Sequence, residues 1–187
     1  TGRTSFLLPL MTAFYRWTPE QQHIFATTLT SVTKDEKRDN RALFYVIHQL
    51  AALPAISPTR LIELAHEERL AIRDTALRAL GRLDDASQGV PTLLDSLNDD
   101  RARIAIYVLR RAILTMPAEK AFTMLNAVPL QRVTVAKEVI RLLGDLASEE
   151  AYRMLLTMYD KEDLHRDVRI ALLRALWMYL EDDETWE

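Results

Sequence analysis

Five apolar residues, Ile47, Leu80, Leu109, Leu143 and Leu176, recur at spacings of 33, 29, 34 and 33 residues, and nothing else in the chain constrains its fold as tightly. Each lies in a short helix-forming block: LFYVIH (43–48), ALRALG (76–81), AIYVLR (105–110), VIRLLG (139–144) and LLRALW (172–177). A single helix pair cannot bury its own apolar stripe. A helical block repeated at this period therefore points to units that stack and share a core. The expectation is an all-α chain, a right-handed α-solenoid of about five antiparallel helix pairs.

Local signals divide the chain into units of about 18–53, 57–83, 89–114, 117–146 and 148–180, read together as one solenoid domain over 18–180. Thr18-Pro19-Glu20 and Ser57-Pro58 place a capping hydroxyl before a proline, a favourable helix start. Val90-Pro91 and Pro117 open the third and fourth units, and Ser148 opens the fifth with Glu149 and Glu150 in its first turn, where acids suit the helix dipole. The second helix of each unit is expected at about 38–52, 69–83, 100–114, 132–146 and 166–180. The polar runs Lys34–Asn40 and Asn98–Asp100 read as turns. Alanines 76, 79, 105 and 175, with glycines 81 and 144, allow close helix approach. Residues 1–17 read as an apolar segment packing on the first repeat, and 181–187 as an acidic tail. The chain contains no cysteine, so disulfides and thiolate metal sites are excluded, in keeping with a reducing compartment.

The blocks IRDTALRALG (72–81) and VRIALLRAL (168–176) resemble the Val-Arg…Ala-Leu-x-Ala-Leu-Gly pattern of HEAT repeats, in particular the short-period variety of phycobilisome-lyase-like proteins. The resemblance covers about residues 18–180. The first unit fits it loosely, and Ala136 stands where the fourth would carry Arg. It implies that Arg73 and Arg169 make polar contacts between repeats, and that the second helices line a concave inner surface.

Enzymes are also built on such folds, and each kind would leave its own residue signature. A di-iron centre of the HEAT-type hydroxylases needs several His-Glu pairs. Here only His66-Glu67 occurs, and His23, His48 and His165 are not followed by Glu. Trp17, Trp177 and Trp186 have no spacing that selects a base-binding pocket like that of HEAT-like DNA glycosylases, and repeat sequence alone does not reveal a tetrapyrrole pocket. Phosphate-binding glycine loops, zinc-protease and nucleophile-elbow motifs do not occur. The expectation is a non-enzyme with no catalytic residues, no metal and no cofactor. Phe6–Tyr15 is too short an apolar run to cross a bilayer. The default is a soluble, cytoplasmic chain without membrane insertion in this segment, cut from a longer protein with sequence missing upstream.

Charge is where the repeat becomes informative about function. Net charge is −3, yet the five second helices hold 16 Lys/Arg against 6 Asp/Glu, leaving 8 of 24 bases and 21 of 27 acids elsewhere. With Ala76, Ala79, Leu80 and Leu83 inward, helical geometry turns positions 74, 78 and 82 outward. The position of Arg78 is occupied in turn by Tyr45, Arg78, Tyr107, Arg141 and Arg174. One turn earlier the series includes Arg41, Arg103 and Lys137, with Asp74 and Ile170. One turn later it includes Arg82 and Arg111, with Gln49, Asp145 and Met178. Arg and Tyr favour interfaces, and Arg grips carboxylates in bidentate fashion. The candidate partner-binding residues on the concave face are Arg41, Tyr45, Arg78, Arg82, Tyr107, Arg111, Lys137, Arg141 and Arg174. The same arginines also suit a merely solvated helix face. The expected partner is an acidic or mixed-charge protein segment. Nucleic acid is the alternative, disfavoured by a pI near 5.8.

Overall fold

Residues 17–35, 39–53, 57–98 and 102–181 are described by a computed structural model. Among them the chain is wholly helical, with no strand. The α-helices are α1 Pro19–Thr33, α2 Asn40–Ala52, α3 Thr59–Ala65, α4 Leu70–Leu80, α5 Val90–Asp95, α6 Ala102–Leu114, α7 Ala118–Asn126, α8 Val133–Leu146, α9 Glu149–Tyr159 and α10 Arg166–Glu181, with 3-10 turns at Ala86–Gly89 and Ser96–Asn98. They divide into two compact units, Thr1–Leu93 and Leu94–Glu187. The apolar N-terminal segment up to residue 16, the acidic tail from 182, and the turn residues 36–38 and 99–101 lie outside the described residues.

The helix starts follow from the local sequence. Thr18 and Gln21 form a reciprocal capping box: Gln21 N donates to Thr18 Oγ1 at 3.3 Å, and Thr18 N to Gln21 Oε1 at 2.9 Å. At α3 the start is displaced by one residue: Pro58, expected at the first helical position, is the N-cap, its carbonyl accepting from Ile62 N at 2.9 Å, and Ser57 Oγ before it accepts from Thr59 N at 3.4 Å. Ser148 Oγ accepts from Ala151 N at 3.2 Å at the head of α9.

The repeated column forms the core. Ile47, Leu80, Leu109 and Leu143 are all 0 % exposed. Each such side chain contributes on the order of 1.5–3 kcal/mol by leaving water. Leu176 is half-buried. Two local expectations are revised. Helix α4 stops at Leu80 rather than near 83, because Gly81 is a poor helix former and takes the C-cap. The first helix of the third pair shrinks to six residues between 3-10 turns, and this accounts for the short 29-residue step.

In the first unit α2 packs on both α1 and α4, and α3 packs on α4. Arg60 of α3 closes the C-terminus of α1, donating from Nε to Thr33 Oγ1 at 2.8 Å and from Nη2 to Thr33 O at 3.0 Å. In the second unit α8 is central, with α6, α7, α9 and α10 against it. Its approach to α10 depends on Gly144. A Cβ there would lie 3.1 Å from Ala175 Cβ and 3.3 Å from Ala175 Cα, so two small residues set the helix separation. Tyr179 of α10 then donates its hydroxyl to Leu143 O at 2.9 Å, tying the two helices together near the end of α8.

Candidate functional site

Helical periodicity places most of the candidate residues at the surface. In the first unit Arg41 (α2), Arg78 (α4) and Arg82 (just beyond α4) are exposed, and in the second Tyr107 and Arg111 (α6), Lys137 (α8) and Arg174 (α10) are exposed. On α6, Arg103, Tyr107 and Arg111 follow one another at one-turn spacing, with Tyr107 65 % exposed. The inward positions Ala105, Val108, Leu109, Ala112 and Ile113 are buried, so the outward stripe is the geometric complement of the core stripe.

Tyr45 and Arg141 are held differently. Tyr45 is half-buried on α2, and its hydroxyl is sealed from solvent without a hydrogen-bond partner. Burial pushes its ionisation upward. Only part of its ring remains to offer contact area. Arg141 is also half-buried: its Nη2 pairs with Glu138 Oε1, three residues earlier on α8, and its Nε is shut off from solvent without a partner.

Among the described residues, the side chains of Arg41, Arg78, Arg111 and Arg174 make no ion pair or hydrogen bond. The i,i+4 geometry of Asp74 and Arg78 is therefore not used as a salt bridge. Arg82 Nη1 lies 3.4 Å from His48 Nδ1. Burial, and then the Arg82 charge, hold the His48 imidazole below its usual range, which favours the neutral ring that can accept from Arg82.

The second unit organises its remaining charges into links between helices. Arg110 Nε of α6 meets Asp145 Oδ2 of α8 at 3.3 Å, and Lys137 Nζ of α8 meets Asp167 Oδ2 of α10 at 3.6 Å. Glu138 is 6 % exposed; burial raises its carboxyl above the usual range, an effect that the Arg141 charge and hydrogen bond partly oppose. Sequence reasoning singled out neither Glu138, Asp167 nor Arg110 as site residues. The excess of bases over acids drew attention to the cations, and no periodicity marks which acid will meet which base across two helices.

Between α8 and α10 these groups surround a cleft of about 470 Å³. Lys137, Arg141 and Arg174 line it with Ile170 and Met178, and Glu138 and Asp167 are the carboxylates at its wall. It thus brings together the candidate cations of the last two repeats, alongside apolar surface. A second cleft, of about 480 Å³, opens in the first unit between α1 and α3 and includes His23, Thr30, Lys34 and Arg60. Its arginine is committed to Thr33 and to Glu63, whose Oε2 lies 2.6 Å from Nη1. Among the described residues no three His, Asp or Glu side chains gather into a metal-holding cluster, and no helix is long and apolar enough to cross a membrane. No protein-family model matches the chain, and no curated protein matches it significantly.

Proposed function

We propose that the chain is a non-catalytic protein-interaction module of HEAT-type repeats, whose outward second-helix faces take an acidic or mixed-charge segment of a partner protein. One observation carries the reading: Arg41, Arg78, Arg111 and Arg174 stand exposed on second helices with no acidic partner among the described residues. Arginines not engaged in an ion pair generate a positive field that a carboxylate-bearing partner neutralises, which favours encounter and register. Tyr107 adds flat, amphipathic contact area one turn from Arg111, a residue type enriched where binding energy concentrates. The repeat assignment draws support from the IRDTALRALG and VRIALLRAL blocks and from the direct packing of successive second helices inside each unit, α2 on α4, and α6 and α10 on α8. The second helices hold 16 Lys/Arg against 6 Asp/Glu, but 21 acids against 8 bases elsewhere bring the whole chain to −3, which weighs against a nucleic-acid backbone as the partner.

The test is a fluorescence titration with a labelled peptide of alternating Glu and Leu, set beside duplex and single-stranded oligonucleotides at several salt concentrations. The expected result is peptide binding that weakens with salt and drops at least tenfold in an Arg78→Glu, Arg174→Glu double variant, with no oligonucleotide bound at low salt. Unchanged affinity in the double variant refutes the proposal. Oligonucleotide binding with a steep salt dependence, and none to the peptide, identifies nucleic acid as the partner instead.

A further inference from the structure

The α8–α10 cleft has a more specific shape than a basic face. Along α10, Ile170, Arg174 and Met178 follow at one-turn intervals, so a single cation is bracketed by two apolar side chains, 40 % and 50 % exposed. Opposite them on α8, Lys137 and Arg141 are also one turn apart. Three cations thus face two carboxylates, and the carboxylates are unevenly available. Glu138 lies buried under Arg141, its charge disfavoured by desolvation. The Lys137–Asp167 contact is long, at 3.6 Å, between side chains 46 % and 51 % exposed. A half-exposed pair of that kind contributes little, and an incoming carboxylate can replace Asp167 at Lys137 with small loss. Arg174 has no partner among the described residues to give up.

We infer that this cleft is the anchor of the module and takes a partner segment in which one Asp or Glu is flanked on both sides by apolar side chains. The carboxylate meets Arg174 and Lys137, while the flanking residues lie on Ile170 and Met178. Successive one-turn positions on α10 are about 6 Å apart, matching either the i,i+4 spacing of an amphipathic helix or alternate residues of an extended chain. A purely acidic segment leaves the two apolar side chains uncovered, and a purely apolar one leaves Arg174 desolvated without a partner, so the cleft selects the combination.

The inference rests on the proposed function and fails separately from it. Panning a random peptide library on the intact chain, followed by titration of the enriched peptides, tests both. The expected consensus is an acid between two apolar residues at helical or alternating spacing. Affinity is expected to fall at least tenfold in Arg174→Glu and severalfold in an Ile170→Ser, Met178→Ser variant, with little change in Arg78→Glu. Circular dichroism of each variant checks that the helices remain. Enriched peptides that lack an acid, or that bind Arg174→Glu as well as the parent, overturn the cleft. Enriched acidic peptides that respond to Arg78→Glu and not to Arg174→Glu also overturn it, leaving the basic faces as the binding surface. No enrichment, or enriched peptides indifferent to both reversals, overturns both readings.

Discussion

Replacing Tyr179 with Phe removes one buried oxygen, the one that holds the backbone at the end of α8. Tyr179 is 8 % exposed, and its hydroxyl donates to Leu143 O at 2.9 Å, with Ser148 O a longer second acceptor at 3.4 Å. That carbonyl belongs to the last turn of α8, where a helix runs out of its own amide donors. The amide of Ala147, which would otherwise reach Leu143, bonds Gly144 O at 3.3 Å instead. Tyr179→Phe therefore deletes a hydrogen bond and leaves a carbonyl short of a donor. A typical bond contributes about 0.5–1.5 kcal/mol net, and an unsatisfied buried group costs about 1–3 kcal/mol, so the expected loss is about 1–3 kcal/mol. The phenyl ring keeps the tilted contact with Tyr152, at 5.1 Å between centroids, so packing is largely preserved. Urea unfolding followed by circular dichroism reads the loss as a lower midpoint at unchanged slope. Tyr152→Phe serves as the control, expected to stay within about 0.5 kcal/mol, the usual range for a change that breaks no such bond. A Tyr179→Phe loss no larger than the control refutes the claim that this hydroxyl caps α8.

Two further outcomes follow from the same end of the molecule. Ala147 has φ of 49°, a conformation costing a residue with a Cβ about 1–2 kcal/mol. Ala147→Gly is expected to raise stability by about 0.5–1 kcal/mol after the extra chain entropy of glycine is subtracted, read as a higher urea midpoint; a drop refutes the argument. The folded chain raises the Glu138 carboxyl above its ordinary value of 4.5, so the folded state binds this proton more tightly than the unfolded state does. Its contribution is present at pH below 4.5 and is lost as pH climbs through the raised value. Glu138→Gln removes that dependence. The variant is expected to gain relative to the parent as pH rises from acid towards neutral, measured by parallel urea titrations, and a relative loss over that window reverses the assigned cause.

Much of the architecture was legible in the residues themselves. Thr18 and Ser148 announce helix starts because a capping hydroxyl acts within three residues, and each makes its bond. At Ser57 the hydroxyl reaches Thr59 N, but Pro58 takes the N-cap and the helix begins one residue later than expected. The column Ile47, Leu80, Leu109 and Leu143 is fully buried because a helical repeat returns the same face to the core in each unit. The end of α4 was set too late, since the apolar stripe runs through Leu83 while backbone at Gly81 leaves the helix. Periodicity follows side chains and is blind to a cap.

The sequence by itself determined which residues face inward and which face water, because rotation about a helix axis is fixed by spacing along that helix alone. Arg78, Tyr107, Arg111 and Arg174 are outward for that reason. Tertiary structure alone decided which of the outward cations are engaged. Lys137 reaches Asp167, Arg110 reaches Asp145, and Tyr45 loses its hydroxyl to the interior, while Arg174 is left without a partner among the described residues, beside Ile170 and Met178. Such pairings depend on the axial offset and separation of neighbouring helices. In the second unit those are set where Gly144 meets Ala175, a contact between residues 31 positions apart that no single helix encodes.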